Sequence, residues 1–212
     1  MDTTFFKRVL GVMIFRTRGL NLKWRYVGSE RLIYYIEELI SLKSQLGCTF
    51  KSFTIDGRIG LVKLLQMYYP NTPIQLCQFH QMQNITKYIT KRPKTECGVE
   101  LRCLMLKLAT IDKEDFIKQF NKLKEKYQDF LKEKNENGQF VHRNLRSAFR
   151  SIKTNLPYLF TYQDYPHLNM PNTTNSCDGS FGQWKMKVRL HRSISIQRKK
   201  QVIDTFLAHK IP

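Results

Sequence analysis

Long apolar runs are missing from this chain. No stretch approaches the roughly 18 apolar residues that a bilayer-spanning helix needs. Acidic residues are also scarce, with 17 against 36 Lys plus Arg and a formal net charge of +19. That imbalance favours a polyanion partner, nucleic acid ahead of an anionic membrane surface. Cysteine is sparse and odd in number: Cys48, Cys77, Cys97, Cys103 and Cys177. The start shows no signal-peptide plan, because Asp2 follows Met1 directly and no cleavage site comes after. Odd cysteines without secretory context read as reduced thiols, not as a disulfide framework. No repeat and no low-complexity tract is present. What is there is an apolar content of 42%, of the kind that folds rather than staying disordered. A chain of 212 residues suits one domain with a sizeable core, or one domain with an insertion.

Periodicity gives the element order. Val9 to Phe15 and Leu20 to Val27 read as two strands joined by a hairpin link, Arg16 to Gly19. Ser29 and Glu30 open a helix whose apolar positions Leu32, Ile33, Ile36, Leu39, Ile40 and Leu42 recur at helical spacing, and Gly47 ends it. Cys48 to Ile55 is strand-like, Ile59 to Tyr69 is a helix stopped by Pro70, and Pro73 to Phe79 is a further strand. This order implies a mixed α/β sheet. Residues 81–165 read as helical and lysine-rich, with Phe116, Phe120, Leu123, Tyr127, Phe130 and Leu131 at wide spacing and a loop at Asn135 to Gly138. The alternating charges along 122–136 read as a solvated helix face. A polar run before Asp178 offers helix caps, Phe181 and Trp184 read as core, and an amphipathic stretch closes the chain through Val202, Ile203, Phe206 and Leu207.

Three short phrases each hold one carboxylate at the edge of an apolar or helix-starting stretch. They are Asp2-Thr3-Thr4-Phe5-Phe6, Thr54-Ile55-Asp56-Gly57, and Asn172-Thr173-Thr174-Asn175-Ser176-Cys177-Asp178. Asp56 ends a strand, where an α/β sheet opens into a crevice. Asp2 reads as preceding a strand, and Asp178 as sitting near a helix N-terminus. Three converging carboxylates would repel one another unless cations neutralised them. A pair of divalent ions would stabilise the attacking and leaving oxygens of a displacement at phosphorus. Carboxylate oxygens favour Mg²⁺, with Mn²⁺ as a substitute. The same residues also admit a plain reading: Asp-Gly is a common turn, and an aspartate in a first helical turn is ordinary capping electrostatics.

In their order, these phrases resemble the catalytic core of mutator-type bacterial insertion-sequence transposases of the DDE superfamily. The likeness rests on Asp2-Thr3-Thr4-Phe5-Phe6, Ile55-Asp56-Gly57, Cys77-Gln78-Phe79-His80, and Asn172 to Asp178. It implies an RNase H-like mixed sheet flanked by helices, with an all-helical insertion before the last catalytic helix. The core would be residues 1–80 and 166–212, and the insertion residues 81–165. It implies Asp2, Asp56 and Asp178 as catalytic, Mg²⁺-binding residues, supported by Cys77, His80 and Asn175. It implies cleavage of double-stranded DNA at transposon ends and transfer of the freed strand to a target. The active form would be a homo-oligomer, with no membrane partner, in the bacterial cytoplasm and associated with the nucleoid. Two departures stand out. Asp178 occupies a position where many relatives carry Glu. Only Met1 precedes Asp2, so the strand bearing the first aspartate is expected to be almost absent. The chain thus reads as truncated, without the N-terminal DNA-binding domain. Two rivals stay open: an inactive remnant acting as a basic DNA-binding protein, and a nuclease that cuts without joining.

Two further patterns bear on function. Cys77-x-x-His80 with Cys97 and Cys103 would be an unfamiliar zinc spacing, and Cys77 reads better as a small buried hydrophobe. From Gly179 to Ile203 there is no acid, while Lys185, Lys187, Arg189, His191, Arg192, Arg198, Lys199 and Lys200 are cationic or titratable. These are the candidate DNA contacts, weighed against plain solvated surface.

Overall fold

Alternating apolar residues near the start of the chain form three strands: β1 (Asp2–Phe6), β2 (Leu10–Thr17) and β3 (Leu20–Val27). The computed structural model describes residues 1–6, 10–17, 20–174, 181–182, 186 and 195–208. β2 is the middle strand of an antiparallel sheet in the order β1-β2-β3. Its residues from Leu10 to Phe15 are all buried, as a strand covered on both faces must be. The register pairs Asp2 with Ile14 and Phe6 with Leu10, and an irregularity falls between Phe15 and Arg16. Gly11 is required where it stands. A Cβ there would come within 2.7 Å of both Phe5 and Val27. The first strand therefore departs from expectation. Asp2 does not precede a strand but begins one, and that strand is five residues long. The free edge of β2 supplies the backbone partners that order it.

Helix α1 (Leu32–Leu46) follows. It starts after Arg31, with no capping side-chain bond, and so later than Ser29. Gly47, at φ 62°, ends it in the left-handed conformation that glycine adopts without strain. Its buried face is Tyr35, Ile36, Leu39 and Leu42, while Ile33 and Ile40 are exposed. β4 (Phe53–Ile55) is shorter than the strand expected from Cys48 onward. α2 (Ile59–Tyr68) ends just before Pro70, and β5 (Ile74–Leu76) ends before Phe79, because Gln78 already begins a helix. β4 and β5 form a two-stranded sheet, with the Phe53 N–H donating to the Pro73 carbonyl at 2.9 Å. The chain is thus a mixed α/β protein.

Two compact units divide it. The first holds Met1–Ile74 and Thr174–Pro212, and the second Gln75–Thr173. In the first, Phe6, Leu10, Val12, Ile14, Phe181, Ile203 and Leu207 form a core cluster. The last helix described, here α8 (Ile196–Ala208), contributes Ile203 and Leu207 to it. Polar contacts fix that helix in place. Trp24 Nε1 and the Tyr26 hydroxyl donate to Asp204 at 2.8 and 2.7 Å, and Asn21 donates to the Leu207 carbonyl at 2.9 Å.

The second unit is helical: α3 (Gln78–Ile89), α4 (Glu96–Leu106), α5 (Lys113–Lys126), α6 (Arg143–Leu159) and the short α7 (Thr161–Asp164). Phe116, Phe120, Phe149 and Phe160 pack in its interior. The loop at Asn135 to Gly138 is a tight turn in which Asn135 Oδ1 accepts from the N–H groups of Asn137 and Gln139.

Candidate active site

Asp2 is buried at 6% exposure, at the start of β1. A buried carboxylate is costly unless its charge is answered. One oxygen, Oδ1, accepts the Thr3 N–H at 2.8 Å. The Met1 nitrogen donates to the Thr54 carbonyl at 2.8 Å, which joins the head of β1 to β4 two residues before Asp56. Asp56 leaves β4 half-buried, and its carbonyl accepts the Arg58 N–H at 2.7 Å in a tight turn.

Around these two aspartates lies a polar network that reading the sequence missed. The Tyr35 hydroxyl donates to Glu30 at 2.6 Å, which leaves Thr3 Oγ1 to donate to Tyr35 at 2.7 Å. Arg58 forms an ion pair with Glu30 at 2.9 Å. Burial, then the Glu30 charge, pushes the Tyr35 phenol well above its ordinary range; Thr3 opposes the rise, and the Asp56 charge adds to it. Tyr35 is thus a neutral donor at any physiological pH, within electrostatic reach of Asp56. Its only signal in the sequence is a position on the apolar face of α1.

In the second unit, Cys77 is fully buried and occupies the position before α3, while His80 sits half-buried in the first turn. The decisive geometry runs through Gln78. Its backbone N–H donates to the Asn172 carbonyl at 2.9 Å, and Asn172 Nδ2 donates back to Gln78 Oε1 at 3.0 Å. The Cys77–His80 phrase and the phrase beginning at Asn172 are therefore clamped together, 94 residues apart in sequence. Gln78 belongs to a row of buried amides. Gln75 donates to the Leu76 and Leu159 carbonyls at 2.6 and 2.8 Å and accepts the Tyr162 N–H at 3.0 Å. Gln78 donates to Leu159 at 2.9 Å, and Asn155 donates to Gln81 at 2.6 Å. Buried amides are tolerated only when satisfied in this way.

Residues 37–175 match the model of the family described as Transposase, Mutator family, about two thirds of the chain. The chain belongs to the Mutator family of transposases. The family carries transposition, and with it action on DNA, as its general function. The matched stretch includes Asp56, Cys77, His80 and Asn175, and leaves Asp2 and Asp178 outside. No curated protein and no solved structure matches the chain.

The remaining predicted site residues of this Mutator-family chain fall in two groups. Asp178, Asn175, Lys185, Lys187, Arg189, His191 and Arg192 lie outside the described residues. Arg198, Lys199 and Lys200 lie on α8. Arg198 is exposed, and the Lys200 ammonium stands 5.1 Å over the Tyr26 ring. Among the described residues, no three His, Cys, Asp or Glu side chains gather as a metal would require. Among them, too, no helix is long and apolar enough to cross a membrane.

Proposed function

We propose that this chain is the catalytic region of a DDE-type Mutator transposase with an RNase H-like core, cutting double-stranded DNA at element ends and joining it to a target. The observation that carries this reading is the hydrogen bond from Met1 to Thr54, which joins the strand of Asp2 to the strand β4 that ends just before Asp56. The antiparallel β1-β2-β3 meander, followed by α1, β4 and α2, supports the same reading.

The donor set fits a hard divalent ion: two carboxylates, one buried and oriented by a backbone N–H, in one unit of a strongly basic chain. Asp2 and Asp56 would hold Mg²⁺, or Mn²⁺ in its place, with Asp178 as the third ligand. Such ions activate the attacking oxygen and stabilise the leaving one. The protein's own part is to orient. Thr3 N–H fixes one face of Asp2, and the Tyr35–Glu30–Arg58 network sets the charge beside Asp56. Gln78 ties Asn172 to the Cys77–His80 phrase. The active form is proposed to be a homo-oligomer acting on DNA.

The test is cleavage of labelled duplex carrying element ends, with Mg²⁺ and with chelator. Asp56→Asn is expected to abolish cutting and strand transfer. Undiminished cutting by that variant ends the assignment. Cutting without transfer by the wild type would make the chain a nuclease, and binding without cutting would make it a DNA-binding remnant.

A further inference from the structure

Helix α6 has no acidic residue along its 17 positions, yet it carries Arg143, Arg146, Arg150 and Lys153. These recur at i, i+3, i+7 and i+10. At 3.6 residues per turn they share an arc of about 80°. The buried residues Leu145, Ala148, Phe149, Ile152, Asn155 and Leu159 occupy the other side of the helix. Arg143, Arg150 and Lys153 are exposed and make no ion pair among the described residues. Arg146 is held rigidly. It donates to the Leu131 carbonyl at 2.7 Å, and its guanidinium lies 3.5 Å over the Phe140 ring. It also lines a cavity of about 520 Å³ together with Lys124 and Lys132, where Glu125 is the one acid. At the head of the helix, Glu133 is already engaged by His142 at 2.9 Å.

From this we infer that the cationic stripe of α6 is a docking surface for the phosphate backbone of duplex DNA, separate in sequence from the basic tail. The occupant follows from charge complementarity and from the family's action on DNA. The stripe runs about 15 Å along the helix, at 1.5 Å per residue. Phosphates on one DNA strand advance about 3.4 Å each along the axis, so several fall within reach. A held guanidinium flanked by exposed cations suits backbone contact without base reading. The inference rests on the proposed action on DNA, but it needs neither the metal nor the three aspartates.

The experiment measures binding of the full chain to a fluorescent duplex of arbitrary sequence, in chelator, across a salt series. The variants are Arg143→Gln/Arg150→Gln/Lys153→Gln, the charge-preserving Arg143→Lys/Arg150→Lys, and Lys63→Gln/Lys91→Gln/Lys107→Gln as a control of equal charge loss. The α6 triple is expected to bind roughly tenfold more weakly near physiological salt, with a salt slope lower by about 2.7 if all three contact phosphates. Its thermal melting should be unchanged, because all three side chains are exposed. The lysine variant should bind like the wild type, and the control should lose much less. Equal losses in the α6 triple and the control overturn the inference, as does an unaffected triple. A wild type that binds no duplex at low salt overturns both this surface and the transposase reading. Weaker binding by the triple with cleavage chemistry intact supports the surface alone.

Discussion

Helices α1 and α6 are close in length, and each turns one side to the interior of its own unit. They treat charge in opposite ways. On α1, Glu37 and Glu38 are answered by strand β3: Lys23 lies 2.8 Å from Glu38, and Arg25 reaches both acids. The charges there hold a helix to a sheet. Among the described residues, no acid pairs with Arg143, Arg146 or Arg150 of α6, and Arg143, Arg150 and Lys153 are exposed. A net charge of +19 therefore says that a polyanion is attracted, not where it lands. On the proposed reading, the landing site is set by which cations the fold has left without an internal acid.

The sharpest way to separate the two regions is chemical. Asp56→Asn is expected to lower strand cleavage by on the order of a thousandfold or more while leaving duplex affinity in chelator nearly unchanged, since several kcal/mol of barrier depend on a metal-binding acid. If affinity fell as steeply as cutting, catalysis and docking would not be separable. Next comes the contrast between a half-buried carboxylate in the first unit and buried amides in the second. Gln75→Ala removes the donor to Leu159 and the acceptor of Tyr162, and is expected to cost about 2–3 kcal/mol in urea unfolding. Asp204→Ala in the first unit strips Trp24 and Tyr26 of their shared acceptor, at about 1–2 kcal/mol in the same measurement.

Smaller effects probe the helices themselves. Glu38→Gln turns α1 partway toward α6 by releasing Lys23. It is expected to cost about 1 kcal/mol or less and to raise duplex affinity slightly. A drop in affinity would break the parallel between unpaired cations and DNA attraction. Last is a pH effect. Burial, aided by Glu100 and Glu96, pushes the Cys97 thiol up to about 11 from 9.0. The folded thiol then holds its proton where the unfolded one has lost it. Its stabilising contribution is whole below pH about 9 and is lost as pH rises toward about 11. Urea midpoints measured over that range should fall, and Cys97→Ala should flatten part of the decline.

Much of the local architecture could be read from the chain. Gly47 ends α1, Pro70 follows α2, and Asn135 to Gly138 is a turn, each for a backbone reason that needs no distant partner. The buried Phe181 was also legible as core. The boundaries of β4 and β5 were not, because short strands end where their partner ends. The candidate site was half legible. The three acidic phrases stand out in sequence, but Tyr35, Glu30 and Gln78 do not. A tyrosine on an apolar helix face and a glutamine inside a motif look ordinary until their partners are known. The α6 stripe is present in the spacing but does not stand out among the other lysine-rich helices. Its meaning comes from the contrast with α1.

By itself the amino-acid sequence determined the positive field, the helical periods, the order of the motif phrases and the transposase family to which they belong. Tertiary structure alone decided that Asp2 begins a real strand, that Gln78 grips Asn172, and that the arginines of α6 meet no acid among the described residues. The physical reason is range. Propensity and periodicity act within a few residues, whereas a buried amide, a strand edge or an ion pair is satisfied by a group tens of residues away, which only the folded chain brings near.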